Sequence, residues 1–204
     1  MGIYSKHEVV LIEYSKMSAE LFDTFKHYQE KLGGKHKELL RRTDFLRWSY
    51  ILDQLPKNKS ILDVGVGAGQ FVHAMSKSTR NFKSIKGLDI TKHSKFISDD
   101  DGLEMIYASI GEIPLKDNSV DIVTCLEVIE HLDSKLMLQG VKELRRVAKS
   151  RMILTVPYCE KEPLPHFHKQ RFDLTRIKRI FPNAKITFFS LKNSMAWIMI
   201  DERL

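Results

Sequence analysis

The chain has 204 residues, of which 43% are hydrophobic and 29% charged, a balance typical of one globular domain. Its net charge of +7 is spread along the chain and gives only weak attraction to anionic partners. No apolar run approaches the ~20 residues of a membrane span, and the first residues lack the layout of a signal peptide. Two cysteines, Cys125 and Cys159, suggest no disulfide framework, which predicts a reduced, cytoplasmic protein.

The N-terminal segment, residues 1–58, is predicted to be helical and separate from residues 59–204. Apolar residues recur at helical spacing as far as Gly33–Gly34, and a second helical pattern continues to Leu55. From the residues alone, this segment needs no role beyond packing against the edge of a sheet.

A strand, a glycine-rich turn and a helix are predicted in succession from residue 60. The apolar residues of 60–64 favour a buried strand, and Gly65, Gly67 and Gly69 follow at alternate positions. A helix that opens from such a turn offers unpaired N–H groups to a ligand. The spacing differs from the dinucleotide fingerprint, G-x-G-x-x-G. Asp63, two residues before the first glycine, suits a cationic ligand better than a pyrophosphate.

The remainder alternates between strands and helices, which predicts a doubly wound, mostly parallel sheet. The last two strands are expected to pair antiparallel with each other. The predicted strands are 85–90, 103–108, 120–126, 152–156, 186–189 and 196–200, and the predicted helices include 133–148 and 173–181.

The pattern D-x-G-x-G-x-G, from Asp63 to Gly69, resembles the first motif of the class I S-adenosylmethionine-dependent methyltransferases. The resemblance covers about residues 60–204. It implies an α/β fold with a seven-stranded sheet in the order 3-2-1-4-5-7-6, only the seventh strand antiparallel, and helices on both faces. It also implies S-adenosylmethionine as cofactor, with 59–204 as the methyltransferase core and 1–58 as a cap or lid over the substrate.

The predicted cofactor residues lie at the ends of strands. Asp89, ~20 residues after the glycines, can accept hydrogen bonds from both ribose hydroxyls. Ile90 beside it would cover one face of the adenine. Ser109 stands where the family usually has an acid that accepts from the adenine amino group, and Ile110 would donate its backbone N–H to the ring.

The end of the fourth core strand carries a second group of candidates. Leu126 and Glu127 would border the methionine end of the cofactor. If a helix begins at residue 127, then Glu127, Glu130 and His131 share one of its faces. Two carboxylates and an imidazole are suitable ligands for Mg²⁺ or another divalent ion.

A further ligand is expected from His166 or His168, in the loop after the fifth core strand. This layout resembles the small-RNA 2′-O-methyltransferases and the metal-assisted ubiquinone-biosynthesis O-methyltransferases, in which a metal would hold substrate hydroxyls. Two alternatives stay open. His131 or His168 acts as a general base without a metal, or both histidines are structural.

The resemblance therefore implies methyl transfer to a hydroxyl (or amine) of a small molecule such as a sugar, quinol or natural product. One alternative is an RNA 2′-O-methyltransferase with a metal on Glu127, Glu130, His131 and His168, favoured by the net charge. The other is a cofactor-binding subunit without activity, for which Ser109 in place of an acid leaves room.

Overall fold

The computed structural model describes residues 8–11, 43–94, 96, 103–191 and 194–204. Contacts along the backbone divide the chain into two compact units. One contains Ala108–Leu204 with the strand at Glu8–Leu11, and the other lies within Ile12–Tyr107. The predicted first helix of the N-terminal segment falls outside the described residues. The assignment of 1–58 as a cap stays a prediction.

In the unit within Ile12–Tyr107, the strands are short and apolar. All five residues of Ser60–Val64 are buried, as expected for a strand covered on both faces. The helix before it buries Ile51, Leu52 and nearby Leu55, which confirms part of its predicted apolar face. The elements are α1 Thr43–Gln54, β2 Ser60–Val64, α2 Gln70–Lys77, β3 Ser84–Asp89 and β4 Leu103–Tyr107, and β3 pairs parallel with both β2 and β4.

The other unit contains the remaining strands. Within it, the last strand of the chain runs antiparallel to the two strands that it pairs with, whereas the two strands that flank the long helix Ser134–Val147 are parallel to each other. No helix among the described residues is long and apolar enough to cross a membrane. The elements are β1 Glu8–Leu11, β5 Val120–Leu126, a 3₁₀ turn Ile129–His131, α3 Ser134–Val147, β6 Ala148–Pro157, α4 Leu174–Ile180, β7 Lys185–Leu191 and β8 Ser194–Arg203.

The strand order confirms the predicted fold and adds one strand. Read across the sheet, the order is β1-β7-β8-β6-β5-β2-β3-β4. Numbered from β2, the seven core strands therefore follow 3-2-1-4-5-7-6. The extra strand, β1, pairs parallel with β7 inside the segment that was predicted to be helical. Its sequence, Glu-Val-Val-Leu, contains two β-branched residues, which favour a strand.

Two aspartates begin helices as the sequence predicts. The side chain of Asp133 accepts a hydrogen bond from the backbone N–H of Leu136 at 2.9 Å, at the start of α3. Asp173 accepts from the N–H of Arg176 at 2.7 Å, at the start of α4. Each cap satisfies one of the N–H groups that a helix leaves unpaired at its first turn.

The loop before β5 is held by polar side chains of α3. Arg146 donates to the carbonyl oxygens of Ile113 at 2.8 Å and Leu115 at 2.7 Å. It also pairs with the Glu143 carboxylate, which accepts the N–H of Ile113 at 2.9 Å. The hydrogen bond from Arg146 holds the pKa of Glu143 below its ordinary value of 4.5. The pair therefore stabilises the fold at neutral pH, and this contribution is lost as pH falls through the lowered pKa.

Replacing Arg146 by methionine is expected to lower the free energy of unfolding by about 2 kcal/mol, because two carbonyl oxygens and a largely buried carboxylate lose their donor. Urea unfolding at pH 7 measures this change. Asp117→Asn is the matched control. Asp117 also pairs with Arg146, but its side chain is 72% exposed, so its loss should cost less than about 1 kcal/mol. Equal effects of the two substitutions would contradict this account of the loop.

Candidate functional site

The glycine loop between β2 and α2 has the backbone that its sequence predicts. Gly65, Gly67 and Gly69 have φ values of 80°, 57° and 89°. These lie in the left-handed region, which favours glycine. A Cβ atom added at Gly67 would meet no protein atom within 4 Å. The loop therefore leaves open space beside its central glycine, where a ligand can approach the backbone.

Asp89, at the end of β3, is tied directly to the glycine loop. Its Oδ2 accepts a hydrogen bond from the N–H of Gly67 at 2.8 Å, and its Oδ1 accepts one from the N–H of Ile90 at 2.7 Å. Each carboxylate oxygen has two acceptor sites, so each retains one for a further donor. The predicted contact with two ribose hydroxyls is compatible with this geometry and stays a prediction.

Two neighbouring candidates differ sharply in exposure. Asp63, the fourth residue of β2, has only 4% of its surface exposed. Ile90, which comes directly after Asp89, is 71% exposed. This exposure is high for an isoleucine two residues after a buried strand residue, Leu88. An exposed apolar side chain at this point is available to cover a flat apolar ligand, as predicted for the adenine.

Ser109 and Ile110 form a turn that follows β4 in the chain. Both residues belong to the unit that contains Ala108–Leu204. The Ser109 hydroxyl accepts a hydrogen bond from the N–H of Gly111 at 3.1 Å. The side chain of Ile110 is buried, and a Cβ atom added at Gly140 would lie 3.0 Å from it. Ser109 thus already has a local structural role, and Ile110 has only its backbone to offer a ligand.

The expected helix from residue 127 does not form. Glu127 has a φ of 58°, in the left-handed region, and the 3₁₀ turn begins only at Ile129. The N–H of Glu127 donates to the carbonyl oxygen of Thr155 at 3.1 Å. The shared helical face of Glu127, Glu130 and His131 was therefore a wrong expectation. Leu126 ends β5 and is partly exposed.

Three of the four predicted metal ligands nevertheless come together. A carboxylate oxygen of Glu130 and one ring nitrogen each of His131 and His168 lie within 4.8 Å of one another. We call these three residues the EHH cluster. Glu130 is fully buried, at 0% exposure, whereas both histidines are partly exposed. Glu127 and His166 do not belong to this group of the described residues.

Hydrogen bonds fix the rings of both histidines. Nδ1 of His131 lies 3.0 Å from the carbonyl oxygen of Phe167, which can only accept, so Nδ1 carries the proton. Nδ1 of His168 lies 2.7 Å from a carboxylate oxygen of Glu160. In the neutral rings, Nε2 is then left with its lone pair, the arrangement that histidine shows as a metal ligand or a base.

Sequence reasoning missed the residues that build this cluster. The carbonyl oxygen of Glu130 accepts the N–H groups of Lys169 at 2.7 Å and Gln170 at 3.0 Å. These bonds hold the loop after β6 against the 3₁₀ turn after β5. Glu160 and Phe167 were not predicted because their contacts depend on the path of this loop, for which the sequence carries no periodic signal.

Residues 62–156 match the family described as "Methyltransferase domain". This range runs from β2 to β6 and includes the glycine loop, Asp89 and two residues of the EHH cluster. These residues, just under half of the chain, form a methyltransferase domain, and the match together with the fold supports a class I S-adenosylmethionine-dependent methyltransferase. Its family implies S-adenosylmethionine as the cofactor.

Proteins similar to this chain include one relative named as a methyltransferase and a solved structure with the same fold. An uncharacterized protein of Methanocaldococcus jannaschii is 29% identical over 180 residues, 79% of this chain and 73% of that protein. A ubiquinone biosynthesis O-methyltransferase of Rickettsia prowazekii is 30% identical over 127 residues, 58% of this chain and 50% of its own length. A solved structure of a SAM-dependent methyltransferase from Aquifex aeolicus shares the fold, with a TM-score of 0.57, 17% identity and coverage of 76% of this chain and 88% of that one.

Asp89→Ala is expected to weaken binding of S-adenosylhomocysteine at least tenfold, since hydrogen bonds to a charged acceptor contribute about 1.5–3 kcal/mol each. Calorimetric titration measures the affinity. Asp89→Asn separates binding from folding, because the amide keeps an oxygen for Gly67 but loses the charge. Asp53→Ala, which removes an exposed partner of Arg80 in the same unit, is the control. Unchanged affinity in Asp89→Ala would contradict the ribose assignment.

Proposed function

We propose that this methyltransferase transfers the methyl group of S-adenosylmethionine to a hydroxyl group of a small molecule such as a quinol, a sugar or a natural product. The EHH cluster is the observation that carries the proposal. Two imidazoles with Nε2 lone pairs beside a buried carboxylate form a site that can bind a hydroxyl and remove its proton.

The reaction is an in-line displacement that needs alignment and removal of one proton. The acceptor oxygen forms the new bond to the methyl carbon, and the bond from carbon to sulfur breaks with its electron pair remaining on sulfur. The hydroxyl proton passes to Nε2 of His131 or His168. Glu160, on Nδ1 of His168, keeps that ring oriented.

One named relative is consistent with an oxygen acceptor. The Rickettsia prowazekii relative is named as an O-methyltransferase of ubiquinone biosynthesis. The chain spans only half the length of that protein, so its acceptor is carried over here as a proposal. An RNA acceptor and a non-catalytic binding role, the alternatives considered from the sequence, gain no support from the relatives or from the described residues.

We further propose that the EHH cluster holds a divalent ion, Mg²⁺ or a softer metal. One carboxylate oxygen and two imidazole nitrogens suit metals that accept mixed oxygen and nitrogen ligands. Nδ1 of each histidine also lies beside a hydrogen-bond acceptor, an arrangement that fixes the ring of most histidine ligands of metals. With an ion bound, both Nε2 lone pairs would hold the metal and neither ring would serve as the base. The ion would instead make a coordinated hydroxyl easier to deprotonate, and the proton would pass to water. Glu130, His131 and His168 would hold the ion.

The proposed function predicts that His131→Ala and His168→Ala reduce methyl transfer to hydroxyl acceptors about 10²- to 10⁴-fold, the range for loss of a general base. Transfer of labelled methyl groups to catechol, hydroquinone and glucose measures this. 1,2-Phenylenediamine replaces the hydroxyls of catechol by amines and tests the acceptor atom. His166→Ala, on the same loop but outside the cluster, is the control. Transfer to the diamine alone, or full activity in both cluster variants, would contradict the proposal.

The metal proposal predicts that the protein binds Mn²⁺, observed as loss of the free-ion signal in electron paramagnetic resonance. His131→Ala and His168→Ala should each weaken binding more than tenfold, and Glu160→Gln about 10- to 100-fold, as expected for a partner of a ligand. His166→Ala should bind as the unaltered protein does. If His131→Ala and His168→Ala also bind Mn²⁺ normally, the metal assignment is wrong, and the histidines act without an ion.

A further inference from the structure

Phe167 is an exposed aromatic residue in direct contact with the EHH cluster. Its side chain is 52% exposed. Its ring centroid lies 4.7 Å from that of His168, in an edge-to-face arrangement, and 5.7 Å from that of His131. A single exposed apolar residue normally needs no explanation. This one contacts the rings of both candidate catalytic histidines, and its ring also lies 4.9 Å from that of His166.

The ring of Phe167 is not what holds the loop in place. His131 is oriented by the backbone carbonyl of Phe167, not by its side chain. The loop itself is fixed by hydrogen bonds from Lys169 and Gln170 to the carbonyl oxygen of Glu130. These hydrogen bonds therefore do not require an aromatic side chain at position 167, and burial in the core does not explain it either.

We propose that the ring of Phe167 is a stacking surface for a planar aromatic acceptor, a phenol or a hydroquinone. This inference rests on the proposed function. The hydroxyl oxygen of a phenol is bonded directly to its ring, so a hydroxyl at Nε2 of His131 or His168 brings the acceptor ring close to the cluster. Aromatic rings attract each other at centroid separations of about 4.5–7 Å, in offset or edge-to-face arrangements. Phe167 lies within that range of both histidine rings.

A stacking surface selects acceptors that have a flat aromatic ring, whatever hydroxyl groups the ring carries. A saturated ring with the same two hydroxyls reaches the histidines equally well but presents no π-face to Phe167. Phe167 thus becomes a specificity-determining residue, whereas the EHH cluster recognises the hydroxyl. The EHH cluster therefore binds the hydroxyl group of the acceptor, and Phe167 binds its aromatic ring.

The test compares catechol with cis-1,2-cyclohexanediol, its saturated counterpart, on the full chain saturated with S-adenosylhomocysteine. Dissociation constants are measured by ligand-observed nuclear magnetic resonance. Phe167→Leu should weaken catechol binding about three- to tenfold, the range of an aromatic pair, and leave the diol unchanged. Phe167→Tyr, which keeps the ring, should restore catechol binding. Thermal unfolding and affinity for S-adenosylhomocysteine should not change, because the replaced side chain is half exposed.

Two results would overturn the inference, and only the second would also overturn the proposed function. If the unaltered protein binds both diols and Phe167→Leu changes neither, or weakens both equally, the stacking surface is wrong and the hydroxyl site stands. If the unaltered protein binds neither diol, the hydroxyl site of the proposed function fails, and the stacking surface fails with it.

Discussion

The carbonyl oxygen of Glu130 accepts two backbone N–H groups, those of Lys169 and Gln170, and this pair of bonds joins two parts of the chain that are about forty residues apart. The Gln170 side chain adds a third bond, from its amide to the carbonyl oxygen of Leu132 at 2.8 Å. Together these bonds hold the loop after β6 close to the turn after β5. The candidate acceptor site depends on that position, because each part supplies one histidine.

The same fixed loop determines which ring nitrogens are available for chemistry. Phe167 and Glu160 engage Nδ1 of His131 and His168, so both rings present Nε2. Groups held in this way need no reorganisation when a substrate arrives, which is the basis of catalysis by positioning. Burial of a carboxylate costs free energy unless polar groups or a cation compensate it. Glu130 is completely buried, with the imidazoles of His131 and His168 close to its carboxylate.

Features that depend on local sequence were predictable. The core strands are runs of apolar residues, and the helix-capping aspartates and the three left-handed glycines follow from side-chain size and hydrogen-bonding capacity. The close approach of Asp89 to the glycine loop follows from the parallel pairing of β2 with β3. In each case the signal lies within a few residues of the feature, or in the regular geometry of adjacent strands.

Features that depend on an irregular loop were not predictable. Glu127 adopts a left-handed backbone that nothing in its side chain favours, and this removed it from the face it was expected to share with Glu130. Glu160 reaches His168 only because the loop folds back over eight residues. The residues proposed to bind the cofactor lie at strand ends and in a glycine turn, whereas those proposed to bind the acceptor depend on this loop. Relatives with the same glycine motif can therefore differ in acceptor, since a change of loop path alters which side chains meet while the sheet stays the same.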